Sequence, residues 1–250
     1  MPAVSSPPKL TSPSQEDQQV SDIKPIDANL LETLRQIPSC SIANAIETFS
    51  VQPRNVGFMG PEIKSVFPNM GHMIGYAVTA KIAADAPPST HMNVSRTEWV
   101  DEIMKVPGPR VLVLEDIDYP NPIGSFWGEV QANLHRALGA VGTVTNGGVR
   151  DLDEMQEVGF FAFASCVLVS HAYVHITDVG VPVKIGGLEV NSGDIIQGDQ
   201  HGVIKVPRDI AAEIPDAVKR VENNEQEMIG YANSPEFTVE GLKEMLAQRY

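Results

Sequence analysis

The run Asn146-Gly-Gly-Val-Arg-Asp151 sets a guanidinium beside a carboxylate immediately after paired glycines. Arg supplies a planar fork of donors suited to a carboxylate or an enolate. Asp supplies a hard oxygen for Mg²⁺ or Mn²⁺, which keep most of their waters and need few protein ligands. Together Arg150 and Asp151 could polarise an α-keto acid. Gly147 and Gly148 permit backbone conformations closed to other residues and let a ligand approach the chain. A structural reading competes: Asp151 as the N-cap of the next helix and Arg150 as a surface residue.

A second candidate lies upstream. In the helix expected to begin at Glu129, Val130, Leu134, Ala137 and Leu138 form one apolar stripe. The amides of Val130 and Gln131 fall in its first turn, where unpaired N–H groups and the positive dipole end favour an anion. Gly139, Gly142, Gly147 and Gly148 do not give the GxGxxG of a dinucleotide site.

The elements that must position these residues alternate. Asp27 is expected to cap a helix carrying Leu30, Leu31 and Leu34, and Ser39 or Ser41 a second one through Ile42, Ala45 and Ile46. Strands are expected over 75–82 and 111–114, the latter an apolar run of the kind buried on both faces, with a helix over 99–104 between them. The stretch 127–158 reads as helix, strand, glycine turn, helix. Short strands over 160–164, 167–169, 181–185, 195–196 and 203–206 follow, separated by glycine turns. Helices over 209–230 and 239–248 close the chain. The expected fold is a layered α/β domain over residues 26–250. Residues 1–25, rich in Pro, Ser and Gln, read as a disordered tail without the features of a secretory or transit signal.

Composition limits the function. Hydrophobic residues make up 42% of the 250, and no run approaches the roughly eighteen apolar residues of a membrane span. A net charge of −14 argues against binding nucleic acid or anionic lipid over a broad face. Cys40 and Cys166 are distant and form no CxxC, which fits a reducing cytoplasm.

Gly128-Glu129, then Gly139-x-x-Gly142-x-Val144-x-x-Gly147-x-Val149-Arg150-Asp151, is similar to the signature of the 4-hydroxy-4-methyl-2-oxoglutarate aldolase and regulator-of-ribonuclease-activity-A (RraA-like) family. Gly75-Tyr-Ala-Val-Thr79, Gly187-Leu-Glu-Val190 with Gly193-Asp194, and Gly198-Asp199-x-x-Gly202-Val203 before Val206-Pro207 support it, so the resemblance covers about residues 27–230. It implies a swivelling α/β/β/α domain assembling into trimers or hexamers with sites between subunits. It implies Asp151 as ligand of a divalent metal, Mg²⁺ or Mn²⁺, and Arg150 as the group that holds the keto acid and its enolate. Glu129, twenty-two residues before Asp151, would hold metal-bound water, and the amides of Val130 and Gln131, after Gly128-Glu129, would take the substrate carboxylate.

The resemblance also implies an acid from a neighbouring subunit's C-terminal helix. In the stripe Val218, Val221, Glu225, Met228 and Ile229, Glu225 occupies a position that helical spacing makes apolar; Glu222 is the alternative. Asn146 and Asn44 stand where many members carry Asp. The implied function is cleavage of 4-hydroxy-2-oxo acids to pyruvate, with oxaloacetate decarboxylation as a companion. The other class in the family is a non-catalytic ring that binds and inhibits a ribonuclease.

Other residues are set aside. His171 and His175 lie in a strand-like stretch, where four residues span about 13 Å and cannot share one ion. Glu115, Asp116 and Asp118 are expected to be solvated at a strand end, His201 to be structural, and Cys166 a small core residue.

Overall fold

Asp27 accepts hydrogen bonds from the amides of Asn29 and Leu30 and so starts α1 (Ala28–Gln36). The computed structural model describes residues 23–89 and 93–247. Most of the expected tail lies outside them, but Ile23 already packs against the core and the Lys24 carbonyl accepts from Arg208. The folded unit therefore includes residues 23–25.

α2 (Ser39–Glu47) follows, with Pro38 at the N-cap. Neither Ser39 nor Ser41 caps it. The Ser39 amide and hydroxyl donate instead to the buried carboxylate of Asp199, at 2.7 and 2.8 Å, and the Ser41 hydroxyl donates to Glu222. An acceptor 160 residues away outcompetes the local role.

In chain order there follow β1 (Lys64–Ser65), β2 (Met73–Ala83), α3 (Arg96–Lys105), β3 (Arg110–Asp116), β4 (Ser125–Trp127), α4 (Glu129–Ala137), β5 (Ala140–Thr145), β6 (Gly148–Val149), α5 (Leu152–Val158), β7 (Phe161–Ala164), β8 (Cys166–Val167) and β9 (His175–Val179). The hairpins β10 (Val183–Ile185) with β11 (Leu188–Val190) and β12 (Ile195–Asp199) with β13 (Gly202–Val206) come next, then α6 (Ile214–Ala232) and α7 (Val239–Ala247).

The main sheet runs β1-β7-β5-β3-β2-β12-β13, with β9 also paired to β2; β2, β3, β5 and β7 are mutually parallel. Its strands are buried on both faces, which is why β3 reads as a continuous apolar run. Leu112 and Leu114 point into the core shared with the helices, whereas Val111 and Val113 point to the opposite face, where Val183, Ile185 and Val190 of the β10–β11 hairpin pack. This is the expected layered α/β fold. A separate parallel sheet, β4-β6-β8, carries the residues of interest at its strand ends.

Candidate active site

β4 and β6 lie side by side, with Trp127 opposite Val149, and the Arg150 amide donates to the Trp127 carbonyl at 3.0 Å. This register brings Gly128-Glu129 against Arg150-Asp151 across twenty-two residues of sequence. Asp151 stands at the N-cap position of α5 in a left-handed conformation, φ 51° and ψ 52°, yet its side chain does not cap that helix. The carboxylate turns instead to the start of α4: Oδ2 accepts the Glu129 amide at 3.1 Å and Arg150 Nε at 3.3 Å. Arg150 Nη1 also reaches the Val169 carbonyl at 3.4 Å. The simple N-cap reading of Asp151 does not hold. A non-glycine residue in this backbone region carries strain of about 1–3 kcal/mol, the kind that clusters at functional sites.

Gly128 leaves room for the close approach of the Asp151 carboxylate. A Cβ would sit 2.5 Å from Asp151 Oδ2 and 3.1 Å from Arg150 Cγ. The first-turn amides of Val130 and Gln131 have no side-chain cap, leaving two donors at the positive end of α4.

A cavity of about 840 Å³ gathers Gly128, Val130, Gln131, Arg150 and Asp151 in one lining, together with Trp99, Leu134, His171 and His175. Five of the predicted site residues therefore meet. Glu129 joins through its amide. Glu225 does not belong to this lining within one chain. It is exposed on α6 and accepts from Asn44 Nδ2 at 3.3 Å, so it does not point into the protein's own core.

The apolar stripe of α4 is the second correction. Val130 and Leu134 are 65% and 56% exposed and face the cavity, while Ala132 and His135 are buried. The reason is aromatic. His135 packs edge-on to Trp127 and Phe126, a surface that periodicity alone cannot locate.

Sequence reasoning missed His135 itself. Trp99 Nε1 donates to His135 Nε2 at 2.8 Å, so Nε2 is the unprotonated nitrogen; Nδ1 carries the hydrogen and donates to the Gln131 carbonyl at 2.7 Å. Burial holds the imidazole pKa below its usual value. The ring thus braces, in neutral form, the first turn of α4, whose residues Val130 and Gln131 line the cavity.

His171 and His175 are separated by a turn rather than strand, with Ala172 left-handed and the Val174 amide on the His171 carbonyl. Both line the cavity, and each Nδ1 donates to a nearby backbone carbonyl. Among the described residues no group of three or more His, Cys, Asp or Glu could hold a metal. A cation here would rest on the Asp151 carboxylate and on water, a donor set that fits Mg²⁺ or Mn²⁺ and not a closed zinc cage.

Asp116 is a further correction. It is 1% exposed rather than solvated, and burial pushes its carboxyl up to about 6. Oδ1 accepts the Asp118 amide while Oδ2 is buried without a partner, and Asp118 is occupied with the amides of Ala84 and Asp85. Asn146 explains its own identity. Its Oδ1 accepts the Asp116 amide at 2.7 Å and its Nδ2 donates to the Asp116 carbonyl at 3.0 Å, so the position needs an acceptor and a donor together. His201 sits on Asp199 as a structural group, and Cys166 is half-buried rather than in the core.

Residues 39–205 match the family described as RraA-like, Aldolase/RraA. This chain belongs to the RraA-like family. Protein DlpA of Legionella pneumophila is 26% identical over 191 residues, 74% of this chain; the match spans only 29% of that longer relative. A putative 4-hydroxy-4-methyl-2-oxoglutarate aldolase of Halalkalibacterium halodurans is 28% identical over 82 residues, 32% of this chain and 39% of its own. Among solved structures, an uncharacterised protein from Pseudomonas syringae pv. tomato superposes with a TM-score of 0.69 at 22% identity, over 96% of this chain and 100% of that one. RraAS2 of Streptomyces coelicolor, described as an unusual member of the RNase ES inhibitor RraA protein family, gives 0.65 at 21% identity, over 80% and 96%. The RraA-like family includes aldolases and ribonuclease regulators alike, and the fold is common to both. Among the described residues no helix is long and apolar enough to cross a membrane.

Proposed function

We propose that this RraA-like chain is a divalent-metal-dependent lyase that cleaves 4-hydroxy-2-oxo acids of the 4-hydroxy-4-methyl-2-oxoglutarate type to pyruvate and also decarboxylates oxaloacetate. One observation carries the reading. Asp151, the N-cap residue of α5, leaves that helix uncapped and turns its carboxylate to the cavity beside Arg150 and the open first turn of α4.

Asp151 would hold the cation, with Glu129 and, from a neighbouring subunit of a trimer or hexamer, Glu225 holding water next to it. When bound, the divalent cation supplies a Lewis acid that draws electron density from the 2-oxo group. The chain's own groups do the rest. The amides of Val130 and Gln131 take the substrate carboxylate, and Arg150 stands against the negative charge that appears when the C3–C4 bond breaks and pyruvate enolate forms. Removing one such preorganised donor typically costs about 10²–10³ in turnover. Water held by Glu129 and Glu225 takes the proton of the C4 hydroxyl, whose oxygen becomes the carbonyl of the departing fragment, and returns a proton to the enolate carbon. Oxaloacetate decarboxylation passes through the same enolate, with carbon dioxide leaving in place of the carbonyl product.

The test is a lactate-dehydrogenase-coupled pyruvate assay on oxaloacetate and on branched 4-hydroxy-2-oxo diacids, with Mg²⁺, Mn²⁺ or a chelator. Asp151→Asn is expected to abolish both activities; undiminished turnover would remove the metal role. No pyruvate from any substrate with the wild-type chain would turn the reading to the ribonuclease-binding regulators of the family.

A further inference from the structure

We infer that Arg96 is a specificity-determining residue of this site, taking the distal carboxylate of a dicarboxylic 2-oxo acid whose 2-oxo end lies at Arg150 and Asp151. The inference rests on the lyase reading and assigns the other half of its substrate.

Charge inside the cavity runs against that of the chain. The protein carries −14, yet the lining holds two guanidiniums, Arg96 and Arg150, against one carboxylate, Asp151. His135 adds nothing, since it is neutral and accepts from Trp99. A local excess of positive charge in an acidic protein is what a dianion needs, and a divalent cation on Asp151 would increase it.

The two guanidiniums have different tasks. Arg150 is tied to the ion-bearing end, with Nε on Asp151 Oδ2 and Nη1 on the Val169 carbonyl. The Arg96 side chain makes no hydrogen bond or ion pair among the described residues, so its planar fork of donors is open. Its place is nevertheless fixed, because the capping box of α3 sets the residue before it. The Ser95 hydroxyl accepts the Glu98 amide at 3.2 Å, and the Glu98 carboxylate accepts the Ser95 amide at 2.8 Å. Glu98 is thereby spent on the helix start and not on Arg96.

A single strip of chain joins the two. It begins where Arg150 meets the Val169 carbonyl, and the next carbonyl, of Ser170, accepts the Ser125 amide at 2.9 Å. After the turn closed by the Val174 amide on the His171 carbonyl, the strip enters β9, where the Ile176 carbonyl accepts the Val94 amide at 3.0 Å, two residues before Arg96. Arg150 and the start of α3 are therefore moored at opposite ends of residues 169–176. His171, Tyr173 and His175 of that strip line the same cavity, so its wall is polar along this side. These bonds are internal to the chain and do not depend on a neighbouring subunit.

A monocarboxylic acid of the same length would leave Arg96 facing a methyl group. Arg96 is exposed, so water competes for it and the preference for the diacid is expected to be about fivefold.

The experiment uses the full chain with Mg²⁺. Calorimetry compares 2-oxoglutarate with 2-oxopentanoate, neither of which has a 4-hydroxyl to cleave. Pyruvate release compares 4-hydroxy-4-methyl-2-oxoglutarate, which gives two pyruvates, with 4-hydroxy-4-methyl-2-oxopentanoate, which gives pyruvate and acetone. The wild type is expected to bind 2-oxoglutarate about fivefold tighter than 2-oxopentanoate. Arg96→Ala should remove that margin and lower the diacid-to-monoacid ratio of kcat/KM by about the same factor, through KM and not kcat, and Arg96→Lys should restore part of it. Circular dichroism and size-exclusion chromatography follow the fold and the assembly of both variants.

A diacid-to-monoacid ratio left intact in Arg96→Ala would overturn the inference. Equal losses toward both acids would overturn it too, and with a changed elution volume they would assign Arg96 to a subunit contact. Cleavage of both substrates with no diacid preference would end the inference and leave the lyase reading in place. An Arg96-dependent preference for 2-oxoglutarate without pyruvate from any substrate would sustain the subsite and end the lyase reading.

Discussion

Gly128→Ala tests whether the Asp151 carboxylate works where it lies. The added methyl would stand 2.5 Å from Asp151 Oδ2, and ordinary contact begins at 3.4 Å, so the carboxylate must retreat by about 0.9 Å. The backbone itself does not object, because Gly128 is extended at φ −170°. The cost in stability is therefore modest: one charge-assisted hydrogen bond, Glu129 N–H to Oδ2, worth about 1.5–3 kcal/mol at most and partly recovered by solvation at this one-third-exposed group. The cost in function is larger, since a displacement near 1 Å at a reacting centre can cost about 10²-fold. Oxaloacetate decarboxylation across a Mn²⁺ titration, beside a thermal melt, measures both. The expected result is a drop of about a hundredfold in kcat/KM and a Tm lowered by only a few degrees. A variant with wild-type kcat/KM and an unchanged metal requirement would refute the placement of the ion on Asp151. A variant that loses both fold and activity would refute the argument that the contact is local.

Asn146→Asp should destabilise the chain by about 2–3 kcal/mol in urea, because Asp cannot donate to the Asp116 carbonyl and adds a buried charge beside Asp116. Asp116 keeps its proton up to about 6 when folded but gives it up near 3.8 when unfolded, so stability falls as pH rises between those values, by on the order of 3 kcal/mol. Asp116→Asn should remove that slope in chemical denaturation curves measured from pH 4 to 7; a slope left intact would remove the assignment. His135 acts in the opposite sense. Its folded pKa is depressed, so its contribution is complete above 6.5 and lost as pH falls below that value, and His135→Gln should abolish this loss while weakening binding at the α4 amides.

The parallel strands and the α4–β5–α5 frame were legible because burial on both faces leaves continuous apolar runs and capping leaves local residue types, as at Asp27 and over 111–114. The corrections share a cause: the deciding partner is distant in sequence. Ser39 answers to Asp199, Asn146 to Asp116, and the phase of α4 to Trp127 and Phe126, none of which a helical period encodes. A stripe on α4 that reads as core faces the cavity instead, because a periodicity argument knows that one face is apolar but not what lies opposite. Gly128 and the Arg150-Asp151 pair were found through an ordered motif. What the motif could not supply is that Asp151 leaves its own helix uncapped.

That geometry is overdetermined by ordinary bonds on both sides. Upstream, the Arg150 amide is held by the Trp127 carbonyl; downstream, the Asp151 carbonyl accepts the Met155 amide as α5 begins. Two fixed ends leave the left-handed turn at Asp151 as the link that fits. It swings the carboxylate off the axis of α5, whose first turn has Asp153 and Glu154 to complement its dipole, and onto the positive end of α4. A carboxylate placed there faces Arg150 and open amides, where an acidic chain otherwise offers an anion little attraction. The local strain and the departure from a −14 background are thus two aspects of one arrangement: the backbone bends out of its usual range at the residue whose carboxylate lies on the cavity instead of capping its own helix.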